Sequence, residues 1–172
     1  MIKVLFKNQK GIASMFTGIL IFIIGIMFMG IMIAFIVGYF NSLEDMQIYK
    51  NNKNTLTIIN NILIDLKTAE TGSYKKINIE PTNVITFDNI NNVVIIEQEI
   101  RNQRFYEKQK EYINFGNLNI SKKENMIVFT LNLETNIKLN NFVEILPAKQ
   151  EISFEVFLKE NDVTNINVER TN

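Results

Sequence analysis

The chain has 172 residues, eighteen basic and eighteen acidic, with 47% hydrophobic residues and neither cysteine nor histidine. Without cysteine there is no disulfide framework, thiolate zinc site or cysteine nucleophile, and without histidine the commonest general base and metal ligand is missing. Most hydrolytic chemistry is thereby excluded, the expectation is a non-enzyme without a cofactor, and a formal net charge of zero gives no support to nucleic-acid binding, which wants a basic patch.

Residues 1–10, MIKVLFKNQK, form a short basic leader carrying Lys3, Lys7 and Lys10. From Gly11 to Phe40 follow thirty residues without a charge. Such a run suits a membrane helix, because in hydrocarbon every backbone N–H and C=O must be satisfied inside the segment. Between Ile12 and Phe40 sixteen residues are Ile, Leu, Phe or Val, against two aliphatic hydroxyls, Ser14 and Thr17. Each of the sixteen favours insertion by roughly 0.3–0.6 kcal/mol near the centre of the helix. At about 1.5 Å per residue the segment would reach roughly 43 Å, more than a hydrocarbon core of about 30 Å. The surplus must tilt, enter an interface or serve another purpose.

Orientation follows from the flanks. Three of the eighteen basic residues precede the run and none of the acidic ones does, while the first charges after it are Glu44 and Asp45. The positive-inside bias therefore places the N-terminus in the cytoplasm and the part from about Asn41 outside, in a single-pass arrangement. A cleaved secretory signal would have an apolar core of about 7 to 15 residues and a small-residue cleavage site, and the run fits neither.

The junction Lys10-Gly11-Ile12, a basic residue, then Gly, then the apolar run, resembles the class III signal of type IV prepilins and archaellins. The resemblance covers about thirty N-terminal residues. It implies cleavage after Gly11 by a prepilin peptidase, a mature chain beginning at Ile12, and burial of the apolar helix against identical helices in a surface filament. Bacterial members carry Glu at the fifth mature position, where this chain has Phe16; archaeal members often lack it, so the departure points to an archaeal-like branch. A plain uncleaved signal anchor stays open as the alternative.

Within the run Gly30, Ala34 and Gly38 fall at i, i+4 and i+8, a small-xxx-small stripe on one helix face that lets a second helix approach closely. Ser14 and Gly18 repeat the spacing earlier. After the run the helix is expected to continue through residues 41–72 as an amphipathic segment. Met46, Tyr49, Leu56, Ile59, Leu63 and Leu66 share one face, Lys50 to Asn54 interrupts the stripe as a kink or break, and Gly72 is a plausible stop.

From Tyr74 the period becomes two. Ile77 and Ile79, Val84 to Phe87 and Val93 to Ile100 read as strands divided by turn residues. Arg101 to Tyr112 is expected as a short helix or a projecting hairpin, and strands resume at Gly116 to Ile120, Met126 to Glu134, Glu151 to Lys159 and Val163 to Val168. Thr135 to Lys149 reads as a long loop or an edge strand. Six to eight short antiparallel strands over residues 73–172 predict a β-sandwich-like external head, with one long hydrophobic helix before it: an α+β protein.

Candidate chemistry is thin. Glu97 and Glu99 would share one face of a strand, as a solvated face or flanking a ligand. Arg101 and Arg104 beside Phe105 and Tyr106 suggest an exposed contact loop, and Asn119-Ile120-Ser121 matches the N-glycosylation acceptor pattern, making Asn119 a candidate acceptor. The expected function is a structural pilin-like subunit for adhesion or motility, partnered by the membrane, by itself and by the peptidase, at the cell surface. The alternative is an uncleaved, single-pass anchored β-domain acting in envelope assembly or interaction.

Overall fold

The structure, a computed structural model, describes residues 2–109 and 112–171, the side chains of 2–14, 104 and 171 excepted. The chain divides into two compact units, Met1–Asn41 and Ser42–Asn172.

One helix, α1, runs from Ile2 to Thr68. No proline precedes Pro81, so nothing in the covalent chain stops the helix over its whole apolar length. In the first unit the described side chains, from Met15 on, are exposed almost throughout, including Phe16, Phe22, Phe28 and Phe35. This part of α1 is long and apolar enough to cross a membrane.

In the second unit α1 is amphipathic. Its inward row is Asp45, Tyr49, Asn52, Leu56, Ile59, Leu63 and Leu66, with alternating steps of four and three, which keeps the row on one face. The interruption expected at Lys50 to Asn54 is unbroken helix. Asn52 occupies the inward position there and is buried, so the stripe continues in polar rather than apolar form. Met46, expected on the packed face, is exposed instead, one position from the row. Full burial of Leu56, Ile59, Ile62, Leu63 and Leu66, at roughly 1.5–3 kcal/mol each, contributes on the order of 10 kcal/mol before chain entropy is counted.

Past Thr68, Gly72 has φ +86°, and its N–H donates to the Val156 carbonyl at 2.8 Å. Ten strands follow among the described residues: β1 (Tyr74–Ile79), β2 (Ile85–Asp88), β3 (Val93–Glu99), β4 (Tyr112–Phe115), β5 (Leu118–Lys123), β6 (Met126–Asn132), β7 (Ile137–Leu139), β8 (Val143–Ile145), β9 (Gln150–Glu160) and β10 (Val163–Thr171). A short helix, α2 (Gln103–Lys108), lies between β3 and β4. The strands form a four-stranded sheet, ordered β1-β9-β10-β7, and a six-stranded sheet, ordered β4-β5-β6-β3-β2-β8.

An α+β architecture with a sheet-based head is thus the observed one, with two amendments. The pairing of β7 with β10 is parallel, Thr164 opposite Ile137 and Ile166 opposite Leu139. The stretch from Thr135 to Lys149 supplies two strands, β7 and β8, each at the edge of a different sheet, and Pro147 falls just beyond β8 where no ladder bond is needed from it.

The inner faces follow the two-residue period. Ile85 and Phe87, Val94 and Ile96, Leu118 and Ile120, and Ile127, Phe129 and Leu131 come from the larger sheet. Ile152, Phe154 and Val156, with Ile166 and Val168, come from the smaller one. All belong to one core with the inward row of α1. Phe87 meets Phe154 across the sheets, ring centroids 5.9 Å apart, and Tyr49 lies against Phe129 at 5.1 Å and Phe105 at 6.2 Å.

Candidate functional site: the exposed apolar helix and the polar anchor of α1

Two surfaces of α1 carry the functional argument. The first is the apolar surface of Met15–Phe40. Gly30 and Gly38 each have open space where a Cβ would stand, with nothing within 4 Å among the described residues, so the stripe they form with Ala34 has room for a closely approaching helix. Chemically this surface can do one thing, which is to exchange water for lipid or for another apolar helix. Lys10, Gly11 and Ile12 lie where α1 is helical but where side chains are outside the described residues.

The second is a set of polar side chains that fixes the start of the head-bound part of α1. Asp45 is 1% exposed, Asn52 2% and Gln98 0%. The Asp45 carboxylate accepts the backbone N–H groups of Arg101 at 3.4 Å and Asn102 at 2.8 Å. Gln98 donates its amide to the Asp45 carbonyl at 2.9 Å and accepts from Asn52 Nδ2 at 3.3 Å, while Asn52 Nδ2 also donates to Asn83 Oδ1 at 3.1 Å. Glu44 pairs with Arg101 at 2.9 Å on the exposed side.

Sequence order explains the placement. On β3 the alternation Val94, Ile96, Gln98 carries the glutamine onto the inner face, where an apolar residue would be expected. The inward row of α1 answers it with Asp45 and Asn52, four and three residues from Tyr49 respectively. A buried carboxylate is costly unless hydrogen-bonded, and two backbone donors from the loop before α2 meet that need. Asn102 in turn caps α2, its Oδ1 accepting the Phe105 N–H at 3.0 Å.

The remaining sequence candidates are scattered. Glu97 and Glu99 are exposed on one side of β3, and among the described residues no group of three or more acidic side chains is placed to hold a metal ion. The expected contact loop at Arg101 to Tyr106 is only partly exposed. Phe105 is in the core beneath Tyr49, Tyr106 is half-buried with Lys122 Nζ 4.6 Å from its ring centre, and Arg101 is held by Glu44. Asn119 sits in mid-strand, paired with Asn114 on one side and Thr130 on the other, with Oδ1 enclosed and lacking a hydrogen-bond partner among the described residues. The inward positions of Asp45, Asn52 and Gln98 escape composition-based reading. The signal for them is the period itself, which runs through polar residues without a change of step.

Comparison with family models, with curated proteins and with solved structures found no match.

Proposed function

We propose that the protein is a pilin-like structural subunit: inserted by α1 with its N-terminus in the cytoplasm, processed after Gly11, and assembled through its apolar helix into a surface filament serving adhesion or motility. The observation that carries this reading is the exposed apolar surface of Met15–Phe40, on a run longer than a bilayer crossing requires and attached to a head with a closed core of its own. Support comes also from the open stripe at Gly30, Ala34 and Gly38 and from the basic leader ending in Lys10-Gly11.

The test is the N-terminus of the native protein, read by mass spectrometry in membrane and surface-shear fractions, with and without an active prepilin peptidase. A chain starting at Ile12 only when the peptidase is active is the expected result. A chain starting at Met1 in both cases leaves an anchored β-domain that does not polymerise.

A further inference from the structure

We propose that Ser42–Asn52 of α1 is a releasable strap: it unlatches from the head as a unit while Leu56–Leu66 stays packed. The inference stands independently of the filament reading, since it uses only contacts inside the second unit.

The two halves of the head-bound helix are held by different physics. From Leu56 to Leu66 the inward side chains are large, apolar and fully buried, so withdrawing them exposes a core. From Ser42 to Asn52 the fully buried side chains are Asp45 and Asn52, both polar. The segment's larger apolar residues are half-buried or exposed: Ile48 and Tyr49 are half-buried, and Leu43 and Met46 face out. Release of this segment therefore exposes little hydrocarbon. It returns a carboxylate and two amides to water, where each recovers the hydrogen bonds it gives up.

The head is built to survive the release. What the strap leaves behind is chiefly polar: the N–H groups of Arg101 and Asn102, the Gln98 amide and Asn83. Water serves all of these. Phe105 and Phe129 lose Tyr49 but keep the rest of the core around them. A polar seam leading into an apolar seam on one helix gives an opening that begins at Ser42 and stops at Leu56. In the open form the eleven residues from Ser42 through Asn52 no longer touch the head.

Amide hydrogen exchange on the full chain in lipid nanodiscs reads this directly, because the Arg101 and Asn102 N–H groups lose their acceptor on release whether or not the strap stays helical. The Asn102 amide should exchange about 100-fold faster than the amides paired between β3 and β6, and protection equal to theirs overturns the strap. Fraying confined to the loop is separated by two variants. Asn52→Leu with Gln98→Leu, which converts the polar seam into an apolar one, should slow Asn102 exchange about tenfold, and Tyr49→Ala should speed it about tenfold. Asn102 exchange that ignores Tyr49→Ala, with β3 and β6 still protected, overturns the proposal.

Discussion

Asp45 Oδ2 accepts the backbone N–H of Asn102 at 2.8 Å, fifty-seven residues along the chain, and so ties α1 to the loop that starts α2. This bond and its companion from Arg101 serve a carboxylate that water does not reach. Asp45→Ala should lower the unfolding free energy of the head by about 2 kcal/mol, since it strips two backbone donors of a charged acceptor. Glu44→Ala, one residue earlier, breaks an exposed ion pair and should cost less than about 1 kcal/mol. Urea titration of both variants in the same detergent checks the contrast.

A second contrast lies on the two faces of the same helix. Leu63→Ala leaves a cavity in the core and should destabilise by about 2–5 kcal/mol. Ile58→Ala, on the exposed face five residues away, should stay within about 0.5 kcal/mol. Equal effects in thermal or urea unfolding would contradict the assignment of the inward row.

Gly72 tests backbone strain in isolation. Its φ of +86° is unfavourable for any residue with a Cβ, yet nothing lies within 4 Å of where that Cβ would be. Gly72→Ala should therefore cost about 1 kcal/mol through conformation alone, with a smaller cost for Gly72→Asn. Near-neutral behaviour of the alanine variant would mean that the turn relaxes.

Burial raises the Tyr49 phenol above its ordinary pKa of 10.0. The folded state thus holds this proton more tightly than the unfolded chain does. The stabilisation is fully present below the unfolded value and is lost as the pH climbs through the folded one. Lys76, raised above 10.5 by its hydrogen bond to Glu151, works in the same direction at a similar pH. Stability measured from pH 9 to pH 12 should fall less steeply in Tyr49→Phe than in the parent, and identical slopes would exclude a contribution from the phenol.

Filling the small-residue stripe separates insertion from assembly under the proposed function. Gly30→Leu with Gly38→Leu adds apolar surface, so membrane insertion should be kept or strengthened, while the close helix approach is lost. Cross-linking in membranes should show self-association reduced at least several-fold at unchanged membrane content.

The sequence is most legible where the physical signal is long. Thirty residues without charge and the apolar positions Leu56, Ile59, Leu63 and Leu66 leave little choice but helix, and the alternation in Val93–Glu99 or Gln150–Glu160 leaves little choice but strand. It is least legible where pairing, not local pattern, decides. Ile137–Leu139 and Val143–Ile145 are three residues each, too short for a period to register, and become strands because β10 and β2 offer them an edge. Asp45 and Asn52 look like solvent-facing residues until Gln98 is known to point at them. Gln98 in turn looks like a surface residue until the phase of its strand is fixed by Val94 and Ile96.

The end of α1 is completed from far away. Lys159 Nζ donates to the Ala69 carbonyl at 3.2 Å just past the helix end, and the Thr164 hydroxyl donates to the Lys67 carbonyl at 3.2 Å. Both come from the β9–β10 hairpin, closed by Asn161 and Asp162 at positive φ, and among the described residues β1 pairs with β9 alone. The strands of the six-stranded sheet all lie between residues 85 and 145, ahead of this hairpin in the chain. In chain order the apolar helix comes first, the strands of the large sheet follow, and the hairpin comes last to complete the smaller sheet and the final turn of the helix. A ribosome stalled before Lys159 would leave the long apolar helix already made and the smaller sheet without its central pair of strands.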